Sequence, residues 1–116
     1  MKRITARFYR TAAGNQPVRD WLLRLAEEDR KIVGRDIAIC EFGWPIGMPV
    51  CRPLGRDLRE VRSTIRRGRV EARVIFGLDG DDMILLHGHE KKPSQQRAEI
   101  ATAHERWANY RRRRKG

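Results

Sequence analysis

Long apolar runs are missing from this sequence. No stretch approaches the ~18 consecutive apolar residues of a membrane-spanning helix, and Met1-Lys2-Arg3-Ile4-Thr5-Ala6-Arg7 leads into no apolar signal core. A cytoplasmic protein with no membrane partner is therefore expected. Cysteine is scarce as well. Cys40 and Cys51 stand alone, with no CxxC and no Cys/His cluster at metal-ligand spacing, so they are expected to be reduced, packed thiols, and neither metal nor cofactor is expected. Acidic residues are outnumbered: 15 Asp and Glu face 26 Lys and Arg, leaving a formal net charge of +11. That excess calls for a polyanionic partner. Nucleic acid fits better than an anionic membrane, because the charge is spread over the chain and not gathered opposite one strongly apolar helix face.

The apolar residues that are present make up 40% of 116 positions, enough for one modest core and one domain over residues 1–116. Residues 3–9 alternate, with Ile4, Ala6 and Phe8 against Arg3, Thr5, Arg7 and Tyr9, the period of a half-buried strand. Pro17 suits a first helical turn, and Val18, Trp21, Leu22 and Leu25 recur at helical spacing. Glu27-Glu28-Asp29 reads as the junction to a second helix with Ile32, Val33, Ile37 and Cys40 on its stripe and Gly43 as its stop. Residues 43–55 hold three prolines and three glycines and are expected to form a long surface loop. Trp44 within it, near Arg52 and Arg56, is a candidate exposed aromatic for stacking on a base or on a partner protein.

Strands are predicted over 58–65, 69–76 and 82–89, joined by tight turns at Arg67-Gly68 and Asp79-Gly80. Pro93 and Ser94 open a last helix with Ile100, Ala103, Trp107 and Tyr110 as its apolar stripe. Trp21 and Trp107, on such stripes, are expected in the core. The basic run over 111–116 is expected to fray. The order is β-α-α-β-β-β-α, an α+β fold with the helices on one face of a twisted antiparallel sheet.

Register brings the charges together. A two-residue turn at Arg67-Gly68 sets Ile65 opposite Val70 and Arg62 opposite Arg73, with Val61, Ser63, Ile65, Val70, Ala72 and Val74 as a floor for helices. Facing arginines are mildly unfavourable. A bound phosphate would justify them; so would neutralisation by Glu60 and Glu71 on a wet sheet face. His87 and His89 end the third of these strands just before Lys91 and Lys92, bringing groups that move protons near neutral pH beside groups that neutralise a phosphorane. A two-residue turn at Asp79-Gly80 would put both imidazoles on the side of Val70 and Ala72. A loop one residue longer would put them with Arg73.

Leu58-Arg59-Glu60-Val61-Arg62, Arg73-Val74-Ile75-Phe76, Ile84-Leu85-Leu86-His87-Gly88-His89-Glu90-Lys91-Lys92 and Glu99-Ile100 with Ala103 together resemble, in order, the RelE/HigB toxin family, closest to its phage-derived HigB-like branch. The resemblance covers essentially the whole chain. It implies a toxin that enters the ribosome and cleaves mRNA without metal, using the RNA's own 2′-OH, and that a co-encoded antitoxin, often carrying a helix-turn-helix as in HigA-like proteins, holds inactive. By position it implies phosphate binding and transition-state charge for Arg62 and Arg73, and proton transfer and electrostatic support for His87, Lys91 and Lys92. Arg56, Arg59, Glu60, His89, Arg111 and Arg112 are candidates for contacting mRNA or rRNA, and Glu60 is a second candidate base. Two departures stand out: His89 replaces an aromatic common in the family, and Pro93-Ser94-Gln95-Gln96 replaces its Thr-Pro opening of the last helix. Two other functions share some of these features. A ParE-like gyrase poison needs no imidazole and lysine group after the last strand. A non-enzymatic nucleic-acid binder would use the charge alone, leave RNA intact and be harmless when overexpressed.

Overall fold

The computed structural model describes residues 1–115. In chain order the elements are β1 (Thr5–Phe8), α1 (Pro17–Arg24), α2 (Glu27–Gly43), β2 (Cys51–Gly55), β3 (Leu58–Ile65), β4 (Val70–Asp79), β5 (Asp82–Glu90), one 3₁₀ turn (Pro93–Gln95) and α3 (Gln96–Lys115). The result is α+β, with a five-stranded sheet in the order β1-β5-β4-β3-β2. The expected β3–β4 register is present, with Ile65 opposite Val70 and Arg62 opposite Arg73.

Several expectations need correcting. The sheet is mixed, because β1 pairs with β5 in parallel. The segment read as a loop over 43–55 ends in β2, an edge strand whose Pro53 is tolerated there because an edge leaves some backbone N–H groups unpaired. Arg56 and Asp57, at φ 52° and 68°, make the tight turn from β2 into β3. Glu27-Glu28-Asp29 is not the junction but the first turn of α2, where three carboxylates favour the positive end of the helix dipole; the chain turns at Leu25-Ala26. The basic tail does not fray: α3 runs on through Lys115, and Gly116 lies outside the described residues. Arg113 lies over the Tyr9 ring and Arg114 pairs with Asp79 at 2.7 Å, which ties the last turns down.

The largest correction concerns layers. α1 and α2 cover one face, over Val61, Ile65, Ala72, Val74, Phe76, Met83 and Leu85. α3 covers the other, over Leu58, Ile75, Ile84 and Leu86, with Ala103 and Trp107 as its buried contacts. The reason is visible in β4 and β5, whose Val74-Ile75-Phe76 and Ile84-Leu85-Leu86 runs are apolar on both faces and so require a cover on both. A glycine seats a tryptophan on each side. A Cβ at Gly88 would lie 2.4 Å from the Trp21 ring, and one at Gly77 would lie 2.8 Å from Trp107. Trp44 is not free for stacking: it is half-buried, meets Phe76 edge-on and carries Arg59 over its ring at 5.0 Å. Cys40 and Cys51 are both free and buried in the α1/α2 core. A hydrogen bond between their thiols pushes Cys40 up, helped by burial, and holds Cys51 down.

Candidate active site

The candidate residues converge on the α3 face because of one extra residue in β5. The turn at Gly80-Asp81 pairs Asp79 with Asp82, Leu78 with Met83 and Phe76 with Leu85. That register alone would carry His87 and His89 to the α1/α2 face. A β-bulge at Leu86 shifts the pairing, so Ile75 faces His87 and Arg73 faces His89. Both imidazoles thereby join Arg73. Arg106 of α3 holds the bulge, donating from Nη1 to the Leu86 carbonyl at 2.8 Å and to His87 Nδ1 at 3.0 Å.

Two rows of side chains then cross the sheet. Arg62, Arg73 and His89 stand side by side on β3, β4 and β5, and Glu60, Ile75 and His87 form the next row. Arg73 is 1% exposed and so is Glu60, with 3.6 Å between Arg73 Nε and Glu60 Oε2, so the pair is held by charge without a hydrogen bond between those atoms. Arg73 Nη1 donates to the Ala72 carbonyl at 2.9 Å and reaches Glu71 at 3.5 Å. Glu71 in turn accepts from Thr64 at 2.7 Å. That hydrogen bond, then Arg73 and Arg62, holds its carboxyl below the usual carboxylate range.

Arg62 is half-buried, its Nη1 3.4 Å from Met48 Sδ. It borders an open cavity of about 380 Å³ between this edge of the sheet and α2, lined also by Ile32, Arg35, Asp36, Thr64 and Glu71. Lys91 and Lys92 are exposed just beyond β5.

Glu99 of α3 bridges the imidazoles, with Oε1 3.3 Å from His87 Nε2 and Oε2 3.1 Å from His89 Nδ1. The His87 contact lies at ion-pair distance without hydrogen-bond alignment. A guanidinium can only donate, so His87 Nδ1 accepts from Arg106 and the neutral ring carries its proton on Nε2, toward Glu99. His89 Nδ1 faces two acceptors, Glu99 and the Glu90 carbonyl at 3.1 Å, and so carries a proton. The two rings stack at 5.4 Å. Burial pushes His87 below the usual imidazole value of 6.5. Glu99 opposes that shift, and Arg106 and His89 add to it. At neutral pH the ring is uncharged. Among the described residues, no group of three or more His, Cys, Asp or Glu is placed to hold a metal ion.

The remaining candidates lie elsewhere. Arg56 sits on the β2–β3 turn near His104, Arg59 lies on Trp44, Arg111 is over the Trp107 ring at 5.6 Å, and Arg112 borders a cavity with Tyr9 and Asn109. Glu99 and Arg106 were assigned no role from sequence. Their seven-residue spacing, with Ala103 between them, was a legible sign that both face the sheet.

No curated protein matches the chain. The family model described as "Phage derived protein Gp49-like (DUF891)" matches residues 20–108, well over half of the sequence and spanning α2 through most of α3. The protein belongs to this Gp49-like family, a RelE/ParE-like toxin family associated with toxin–antitoxin pairs, which implies an antitoxin as its partner.

Proposed function

We propose that this protein is an endoribonuclease that cleaves mRNA on the ribosome, the HigB-like toxin of a pair whose antitoxin is HigA-like with a helix-turn-helix. The observation that carries this reading is the assembly of Arg62, Arg73, His87 and His89 on one sheet face, beside an open cavity and two exposed lysines. A gyrase poison has no use for paired imidazoles backed by a carboxylate.

In the reaction the neutral His87 accepts the proton of a ribose 2′-OH, displacing Arg106 from Nδ1. The 2′-oxygen then attacks the adjacent phosphorus and the P–O5′ bond breaks. The products are a 2′,3′-cyclic phosphate and a 5′-OH, whose proton comes from Lys91 or Lys92. No metal takes part. Charge building on the phosphorane is met by Arg62 at the surface, by the lysines, and by Arg73 beneath. Glu60 faces Arg73, so its part is to orient that guanidinium. Glu99 orients His89 as the carboxylate of a catalytic dyad does.

The test is expression from a tight promoter with mapping of mRNA 5′ ends, comparing wild type with Arg62→Ala, Arg73→Ala and His87→Ala. Growth arrest with in-frame cleavage of translated messages, lost in the variants, is expected. Arrest with intact mRNA would move the reading to gyrase, and no arrest would leave a binding protein.

A further inference from the structure

A second concave site lies where the ends of β3 and β4 meet the last turns of α3. It has a volume of about 390 Å³, within the range of small-ligand pockets, and is lined by Leu78, Trp107 and Tyr110, by Arg59, Arg111 and Arg114, and by Asp57 and Asp79. Leu78 and Asp79 lie three and four residues beyond Ile75, which faces His87, and five and six beyond Arg73, which faces His89, so at about 3.3 Å per residue the cavity lies roughly 10–20 Å from the two imidazoles. It is a separate site.

Its chemistry is specific. Trp107 and Tyr110 stack at 5.5 Å with planes 7° apart, and Arg111 covers the indole. Trp107 is 6% exposed, yet its Nε1–H has no acceptor, which is costly for a buried donor. Of the two carboxylates that line the cavity, Asp79 is occupied, accepting from Tyr110 at 2.7 Å and pairing with Arg114 at 2.7 Å, while Asp57 on the β2–β3 turn has no ion-pair partner among the described residues and is outweighed by the flanking guanidinia. Burial first, then the hydrogen bond to Asp79 and its charge, push the Tyr110 phenol up to about 12, against the opposing pull of Arg114. Arg59 and Arg111 have no carboxylate partner among the described residues.

We propose that this cavity binds one unpaired nucleotide of a structured RNA, with its base against Tyr110 and its phosphate between Arg59 and Arg111. A base offers a planar face for the phenol and for the guanidinium that covers the indole, and the flanking guanidinia match a phosphate. The pocket would anchor the protein on RNA at a second point, beside the place of cleavage and distinct from it. This rests on the RNA-directed reading above but not on the chemistry of the imidazole cluster.

The probes are the four nucleoside 5′-monophosphates, with inorganic phosphate as control. The readout is the indole Nε1–H signals of the full chain in ¹H–¹⁵N spectra. A saturable shift of the Trp107 signal by a nucleotide, absent with phosphate, is expected. Arg111→Glu should weaken it at least about tenfold, while Arg62→Ala and His87→Ala should leave it intact. A Trp107 signal that no nucleotide moves would overturn the proposal, and one moved only by the antitoxin would assign the pocket to protein docking. Nucleotide binding without RNA cleavage in the expression test would leave this site standing and remove the endoribonuclease reading; cleavage without nucleotide binding would do the reverse.

Discussion

The two faces of the sheet use the same packing device to different ends. Under α1 and α2 the sheet surface is mostly hydrocarbon, with Ser63 its buried polar residue, and is closed by Trp21 on Gly88; the buried carboxylates of this side, Asp29, Asp36 and Glu41, are all carried by α2. Under α3 only half is hydrocarbon, closed by Trp107 on Gly77, and the other half holds Arg73, Glu60, His87, His89 and Glu99. On the first side the charge is confined to the helix, where Asp29 accepts from the Arg66 N–H and Glu41 from the Ala6 N–H. On the second the charge stands on the sheet itself, and it is stable only while each group keeps its partner.

The sharpest way to break that contrast is at the buried pair. Arg73→Met strands the Glu60 carboxylate and should cost about 3–5 kcal/mol in denaturant unfolding, whereas adding Glu60→Leu should recover most of the loss. If the single variant cost as little as a surface change, the α3 face would not depend on this pairing. Next in size, His87→Ala should lower the rate of mRNA cleavage about 10²–10⁴-fold while leaving the protein folded by circular dichroism, since the lost group is a proton acceptor. An unaltered rate would move the acceptor role to His89 or Glu60.

The glycines compare the apolar halves directly. Gly88→Ala and Gly77→Ala should each cost about 1–3 kcal/mol, with Gly88 the worse because its Cβ would come closer to an indole. Equal melting temperatures for the two variants would mean that both rings shift freely.

The smallest effect is a pH slope. His87 has a folded pKa below 6.5, so the unfolded chain binds the proton more readily, and stability rises with pH between those two values. Its contribution is present above pH 6.5 and is lost as pH falls toward the folded value. His104, lowered by burial and Arg56, adds in the same direction. His87→Gln should therefore reduce the slope of stability against pH just below 6.5 without abolishing it, as read by melts across that range. An unchanged slope would show that His87 titrates alike in both states.

Much of this architecture was legible beforehand. The β3–β4 register follows from alternation on either side of one turn, and the α3 stripe of Ala103 and Trp107 follows from helical period, because each depends only on neighbours along the chain. β2 escaped because Pro53 and the flanking glycines look like loop, and only pairing with β3 makes them a strand. The two-sided cover was in view in the apolar runs of β4 and β5, but the charges around Arg73 suggested an open face. Glu99 and Arg106 went unassigned because nothing local ties a helix carboxylate to a strand imidazole.

The sequence by itself determined the charge excess, the strand and helix periods, the facing of Arg62 and Arg73, and the gathering of His87, His89, Lys91 and Lys92 at one strand end. Only the tertiary structure decided which face the imidazoles occupy. Side chains alternate with a period of two, so one inserted residue at Leu86 carries both to the opposite side. That insertion is held by Arg106, nineteen residues beyond His87, and no local pattern records it.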